Sequence, residues 1–427
     1  MRFDEAVADL DRRGQHRIVP GLERIAAITE LLDHPQRTYP SIHVAGTNGK
    51  TTTTRLAGRI LCAHGLAAGV YTSPHLSSVT ERIALCDAEI SEPEFAEAYA
   101  HLKPFLDDTD RAGGQPVTYF EALTALAFLW FADKPVDAAV LEVGMGGRWD
   151  ATNVVEAPVA VVCPVSLDHP ELGPTVADVA GEKAAIIKPE ATAIVRRQTE
   201  DAMEVIEARI ADGGADAKIE DRDFGVASRD LAVGGQRLAI QGLEAEYPDL
   251  LLPLHGEHQA ENAAAAVAAG ESLLGRALDE GTLRDALADA AAPGRLETVA
   301  RHPLVVLDGA HNVDAAGALA AAIGEALVWR RLHLVVGILE TKDAEGIVAA
   351  LAPRADAAYA TRNSNPRSLD GRVVADHCER AGVSASVHDG VAAALEAAHA
   401  EADADDLILV TGSLYTVADA RPRYVTP

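Results

Sequence analysis

The segment Gly46-Thr47-Asn48-Gly49-Lys50-Thr51 limits what this chain can fold into more than any other. It follows a short apolar run, Ser41 to Ala45, and leads into a helical pattern from Thr52 to His64 that Gly65 closes. A strand, a glycine-rich turn and a helix in that order build a phosphate site. Glycines let backbone N–H groups approach an anion, the lysine reaches the β/γ-phosphates, and the hydroxyl after it holds Mg²⁺ at the helix N-terminus. The strict P-loop pattern G-x-x-x-x-G-K-[ST] is not met, because its first glycine falls at Val44. A glycine turn with no ligand is the plainer alternative. Lysine is scarce, however: there are seven in the chain, at 50, 103, 134, 183, 188, 218 and 342. A lysine at this position argues for the phosphate site.

The surrounding pattern extends the same architecture. Helical periodicity opens the chain, and Pro20-Gly21 precedes a helix over Leu22 to Leu32. Apolar runs at Ala138 to Leu141, Val159 to Val162 and Ala191 to Val195, separated by helical segments, predict a parallel α/β sheet. From about Lys218 to Leu254 short alternating pieces broken by glycines predict a small antiparallel hairpin region beside that sheet. An alanine-rich helix follows, from about Glu261 to Leu274. After Pro293-Gly294 a second βα alternation begins, with strands at Leu304 to Leu307, Leu332 to Val336, Ala357 to Tyr359, Ala385 to His388 and Leu407 to Val410. A length of 427 residues, at roughly 100 to 200 per domain, fits two domains, 1–292 and 293–427, the second Rossmann-like.

Charge excludes one class of partner. The formal net charge is −28, the wrong sign for a general nucleic-acid binder. Such an acid excess also suits a surface working at high salt, where a Debye length of about 3 Å at 1 M removes self-repulsion. Cys62, Cys86, Cys163 and Cys378 form no C-x-x-C pair, which argues against a zinc cage and a disulfide framework and for a reducing compartment. The N-terminus carries charges where a signal peptide needs an apolar core, and the longest apolar run, Ala122 to Ala132, is about half a bilayer span. A cytoplasmic monomer with no membrane partner is expected.

Three further segments carry chemistry. Glu142-Val143-Gly144-Met145-Gly146-Gly147-Arg148 ends the strand Ala138 to Leu141, where parallel sheets bind ligands and a carboxylate can hold Mg²⁺. Asp168-His169 follows the strand Val159 to Val162, with Glu182-Lys183 in the helix beyond. Asp308-Gly309-Ala310-His311-Asn312 ends the first strand of the second domain. Two such edges facing each other predict an interdomain cleft.

In order along the chain, HVAGTNGKT at 43–51, TSPHL at 72–76, TYFEALTALAF at 118–128, EVGMGGRWDATN at 142–153, SLDHPELGPT at 166–175, GEKAAIIKP at 181–189, HGEHQAENAAAA at 255–266, PGRLE at 293–297, DGAHN at 308–312 and TGSLY at 411–415 resemble the folylpolyglutamate synthase and dihydrofolate synthase family. This family is a branch of the Mur ligase superfamily, and the resemblance spans nearly the whole chain. It implies a P-loop Mur-ligase-like ATPase domain followed by a glutamate-ligase domain. The activity it implies is ATP-dependent joining of L-glutamate to a pterin carboxylate, dihydropteroate or a folate, through an acyl phosphate.

The family's site residues carry over by matching position. Gly46, Thr47, Asn48, Gly49, Lys50 and Thr51 would hold the phosphates. Thr51 and Glu142 would hold one Mg²⁺ and His169 a second, with K⁺ a further candidate cation. The lysine matching Lys183 is carbamylated in the family, which turns a cation beside metal into an anion. Asn262, Arg295 and Asp308 match nucleotide contacts, and His311 and Ser413 would meet the incoming glutamate. The pterin end would lie near Pro20, Gly21, Ser73, Pro74, His75, Thr118, Trp149, Asp150 and Ala151.

Two departures stand out. Lys50 is followed by Thr51-Thr52, as in the cell-wall Mur ligases, where the folate branch usually has Gly-Ser. Ala185 replaces the glycine of the usual EKAG. The first motivates an alternative, a Mur-like ligase adding an amino acid to another carboxylate. A nucleotide-binding switch without ligase activity is a third reading, and it leaves Asp308, His311 and the whole second domain without a purpose.

Overall fold

In the computed structural model, which describes residues 1–15 and 17–425, the strand Ser41–Ala45 sits between Ala138–Glu142 and Val159–Val162 and pairs parallel with both. Ala68–Tyr71 extends the parallel sheet on one side, and Thr192–Val195 and Asp216–Ile219 extend it on the other. Two short antiparallel strands, Ile83–Leu85 and Ala88–Glu89, complete eight strands at one edge.

Every residue of Ser41–Ala45 and Ala138–Glu142 is buried, as expected of a parallel sheet covered on both faces. Alternation then decides the cover. Ile42, Val44 and Val140 meet Leu56 and Ile60 of the helix Lys50–Ala63, backed by the alanines of Glu257–Leu274. Leu141 and Tyr71 meet Leu123, Phe128 and Phe131 on the helix Tyr119–Asp133. The small residues from Ala263 to Ala269 are wholly buried, which lets their helix lie close against the phosphate-loop helix.

The expected hairpin region is a three-stranded antiparallel sheet, Gly225–Ala232, Gly235–Gln241 and Glu246–Leu252. Lys218, placed in that region by sequence pattern, belongs instead to Asp216–Ile219, the parallel edge strand of the main sheet. The third sheet has six strands in the order Glu297–Arg301, Leu304–Leu307, Leu407–Thr411, Leu332–Val336, Ala357–Thr361 and Ser384–His388, parallel except for the first. The fold is therefore an α/β unit built on a mainly parallel sheet with a small antiparallel sheet, followed by a Rossmann-like α/β unit.

The cysteine expectation fails. Cys62 and Cys86 are joined in a disulfide, with Cα atoms 5.8 Å apart, while Cys163 and Cys378 are free and buried. Cys62 lies near the end of the helix Lys50–Ala63, and Cys86 lies in the turn between the two antiparallel edge strands. Those strands carry too few residues to leave a periodic signal, so sequence spacing could not show the two thiols to be neighbours. Among the described residues no helix is long and apolar enough to cross a membrane.

Candidate active site

Adjacent parallel strands end at the same edge, so the phosphate loop after Ala45 and Glu142 at the end of its strand meet. The Thr51 hydroxyl donates to Glu142 Oε1 at 2.7 Å, and the Ser73 N–H donates to Oε2 at 3.0 Å. Glu142 is 1% exposed; burial pushes its carboxyl up, and Lys50 opposes the shift. Gly49 has φ 90°, and a Cβ there would lie 2.4 Å from Asn262 Oδ1. Gly46 has φ 145°, and its Cβ would lie 2.5 Å from Cys163 Cβ. Both positions need glycine. Lys50 begins the helix and donates to the Thr47 carbonyl at 3.2 Å; the Thr47 hydroxyl in turn bonds the backbone of Ser166.

Asp168 gathers basic side chains of both units, of which Lys342 is the cation. Lys342, from the loop after Leu332–Val336, pairs with it directly, His169 Nε2 lies 3.5 Å away and His311 Nε2 3.9 Å away. Burial would raise the Asp168 carboxyl, but His169, Lys342 and His311 hold it well below the usual carboxylate range. Burial drives His169 down to about 3 against the pull of Asp168, and His311 to about 4, so both rings are neutral near pH 7. His169 has φ 54°, unusual for a residue other than glycine, and lines the cleft. A second bridge joins the phosphate loop to the other unit: Asn48 and Asn312 exchange amide hydrogen bonds of 3.3 and 2.9 Å.

Lys183 lies behind the loop rather than on the cleft wall. It is 4% exposed, and its Nζ donates to the Gly46 carbonyl at 2.8 Å. Burial first, then Lys50, lower its amine to about 7. Ala185 caps this helix at φ −64°, a conformation alanine adopts freely, so the missing glycine costs nothing there. Asn262 is buried and donates to Gln259. Asp308 accepts the N–H groups of Leu296 and Ala310, both at 2.8 Å, and burial raises its carboxyl although Arg295 lies close.

Asp150 takes N–H donors from Gly144, Met145 and Thr152 and the Thr152 hydroxyl. Trp149, Asp150, Ala151, Thr118, Ser73, Pro74 and Ser413 all line one cleft of about 530 Å³ with the phosphate loop from Thr47 to Thr52, Glu142, His169, Asn262, Arg295, Asp308 and His311. The residues marked out by sequence thus converge across the two units. Pro20, Gly21 and His75 do not line it. The chain reaches the cleft at Arg17 to Val19, just before Pro20, and His75 faces a neighbouring recess where its Nδ1 accepts from Arg82. Sequence reasoning missed Arg17, Arg82, Arg196, Lys342 and Arg367 on the cleft wall. The scarcity of lysine could have found Lys342; no comparable signal marks the arginines.

Thr51 and Glu142 are hard oxygen donors side by side, a set that suits Mg²⁺, which takes one or two protein ligands and completes its shell with water and phosphate. A neutral His169 has a lone pair to offer. Among the described residues no cluster of three or more His, Cys, Asp and Glu forms a metal cage of protein ligands alone.

Residues 44–270 match the Mur ligase middle domain and residues 294–414 the Mur ligase glutamate ligase domain, so fold and cleft are those of a Mur ligase. The chain is 43% identical to the dihydrofolate synthase/folylpolyglutamate synthase of Mycobacterium tuberculosis, over 97% of this chain and 92% of that protein. A solved structure of the folylpolyglutamate synthase of that organism, complexed with ADP, superposes with a TM-score of 0.95 at 41% identity, covering 100% of this chain and 98% of that one. Escherichia coli FolC in complex with DHPP and ADP gives a TM-score of 0.89 at 33% identity, with 99% and 97% covered. The chain belongs to the dihydrofolate synthase/folylpolyglutamate synthase family.

Proposed function

We propose that this chain is an ATP-dependent ligase that phosphorylates a pterin-linked carboxylate and joins the resulting acyl phosphate to the amine of L-glutamate. The acceptor is dihydropteroate, a folate or both. The carrying observation is the single cleft in which Lys50 and the Thr51–Glu142 pair face His311 and Asp308 of the other unit. Phosphoryl transfer to a carboxylate brings anions together, so the protein must supply fixed cations and dipoles more than a strong base. Lys50 and the N–H groups of residues 46–49 hold the nucleotide phosphates. Mg²⁺ held by Thr51 and Glu142, with His169 at a second position, would supply charge neutralisation during the transfer.

Neutral His311 would meet the attacking amine, a reading supported by its place in the cleft, with Nδ1 against the Gly309 carbonyl and Nε2 3.9 Å from Asp168. It can accept a proton from that amine, with Ser413 and Lys342 beside it to orient the amino acid. Asp150 faces the pterin end, its carboxylate held by four donors. Asn262, Arg295 and Asp308 serve the nucleotide. A carbamylated Lys183 fits a buried amine whose proton is easily lost. Residues 1–292 and 293–427 act as separate domains of a cytoplasmic, salt-adapted monomer, and K⁺ serves as a supporting cation.

Phosphate release measured with ATP, L-glutamate and a panel of acceptors tests this function. Release with dihydropteroate or a folate supports it; release only with a nucleotide-linked peptide precursor reassigns the chain to the cell-wall type. Lys50→Ala should lower turnover by about 10²- to 10³-fold, as loss of one preorganised donor does elsewhere.

A further inference from the structure

Arg196 is a guanidinium enclosed at the carboxyl edge of the main sheet, and nothing in the mechanism so far uses it. It follows the strand Thr192–Val195, while Glu220 follows the neighbouring parallel strand Asp216–Ile219, where Val195 pairs with Ile219. Strand register therefore sets the two side chains together: Arg196 Nε meets both carboxylate oxygens of Glu220 at 3.1 and 3.2 Å. Its Nη2 reaches Glu261 at 2.5 Å, and its Nη1 donates to Asn262 Oδ1 at 2.7 Å. The Arg196 and Glu220 side chains are each 2% exposed, yet Arg196, Glu261 and Asn262 all border the cleft.

This arrangement fixes which end of the Asn262 amide faces which way. A guanidinium can only donate, so the atom it touches must be oxygen. With Oδ1 taken, Nδ2 points away, and one of its hydrogens goes to Gln259 Oε1 at 3.0 Å. The other hydrogen remains to be offered. Oδ1 is also the atom that a Cβ on Gly49 would strike, so the same fixed oxygen sets how closely the phosphate loop can pack on this helix.

We infer that Arg196 is a positioning residue for the nucleotide: clamped by Glu220 and Glu261, it holds the Asn262 amide so that the cleft meets an N–H donor and not a carbonyl. The inference rests on the nucleotide site proposed above. An unclamped amide can rotate and present its oxygen, which repels phosphate oxygens and cannot donate to a base.

Fluorescent ATP-analogue titration of the full chain tests it. Removing Arg196 alone leaves Glu220 as a buried, uncompensated charge and endangers folding, so the main variant is the neutral pair Arg196→Gln with Glu220→Gln. Its dissociation constant for the analogue should rise about 10- to 100-fold, the loss of one charge-supported hydrogen bond. Arg196→Lys, which still only donates, should stay within about fivefold of the parent. Asn262→Asp, which replaces the donor by an acceptor, should weaken binding as much as the pair does, and combining the two changes should add little. The Michaelis constant for L-glutamate should not follow. A folded pair variant that loses thermal stability but binds the analogue like the parent overturns the inference and makes Arg196 structural. Should the pair not fold, tight binding by Asn262→Asp overturns it equally. A parent protein that binds no analogue overturns the nucleotide site itself, and this inference with it.

Discussion

At the scale of single residues, Lys183 offers the sharpest test of the proposed chemistry. A lysine amine at its reference value of about 10.4 is almost fully protonated at neutral pH and reacts poorly with CO₂. Burial and the neighbouring Lys50 bring this one to about 7, so a large fraction is uncharged where the protein works. Carbamylation should therefore proceed at pH 7 to 8 with bicarbonate and should not require strongly alkaline conditions; intact-protein mass after native preparation, showing or lacking one added CO₂, checks this. The sign for the unmodified amine also follows. Its folded pKa lies below the unfolded one, so the unfolded chain binds the extra proton between pH 7 and about 10.4, and stability rises with pH through that window. Lys183→Ala should be inactive in phosphate release and partly restored by acetate. An unmodified amine in the active protein, together with an active Lys183→Arg, contradicts the carbamate. In the candidate site, the phosphate loop and Glu142 were legible from glycines, a scarce lysine and a carboxylate at strand ends, whereas Asn262, Arg295, Ser413 and the acceptor-end residues were marked only by the family resemblance. Arg196 was not legible, because its partners Glu220 and Asn262 are its neighbours only in the folded chain; the scarcity of lysine marked Lys342 but not its pairing with Asp168.

At the scale of elements, the junction of Ser41–Ala45 with the helix Lys50–Ala63 tolerates little change. Gly49→Ala places a Cβ 2.4 Å from Asn262 Oδ1 at φ 90°, so it is strained in both backbone and contact. It should lower the denaturant midpoint by the equivalent of about 1–2 kcal/mol and weaken ATP-analogue binding, while Gly65→Ala, which meets no atom within 4 Å, should show only the backbone cost. Equal loss of binding in both variants contradicts the close approach. The central parallel strands were legible as apolar runs because both their faces are covered. The edge strands Ile83–Leu85, Ala88–Glu89 and Glu297–Arg301 were not: they are short, partly exposed and without a clear period. Missing the first two hid the Cys62–Cys86 pair as well.

At the scale of the whole molecule, the net charge of −28 is not shared by the cleft, whose lining has seven Lys and Arg against seven Asp and Glu. The surface repels itself, while the cleft gathers Lys50, Arg17, Arg82, Arg295 and Arg367 without a carboxylate salt-bridge partner among the described residues. If the acid excess is an adaptation to salt, the melting temperature should climb as KCl is raised from low concentration toward the molar range, where screening shortens to about 3 Å. A flat or falling curve contradicts that adaptation and leaves the cleft unaffected. The cleft itself could be anticipated from two strand edges bearing carboxylate and imidazole, but it is bridged by Lys342–Asp168 and Asn48–Asn312, contacts that no local pattern announces. The most direct measurement is mass-resolved product analysis with ATP, Mg²⁺, isotope-labelled L-glutamate and either dihydropteroate or tetrahydrofolate. The account predicts an acceptor heavier by one or more labelled glutamyl residues, formed with stoichiometric release of phosphate and ADP. Nucleotide hydrolysis that leaves both acceptors at their starting mass would contradict it.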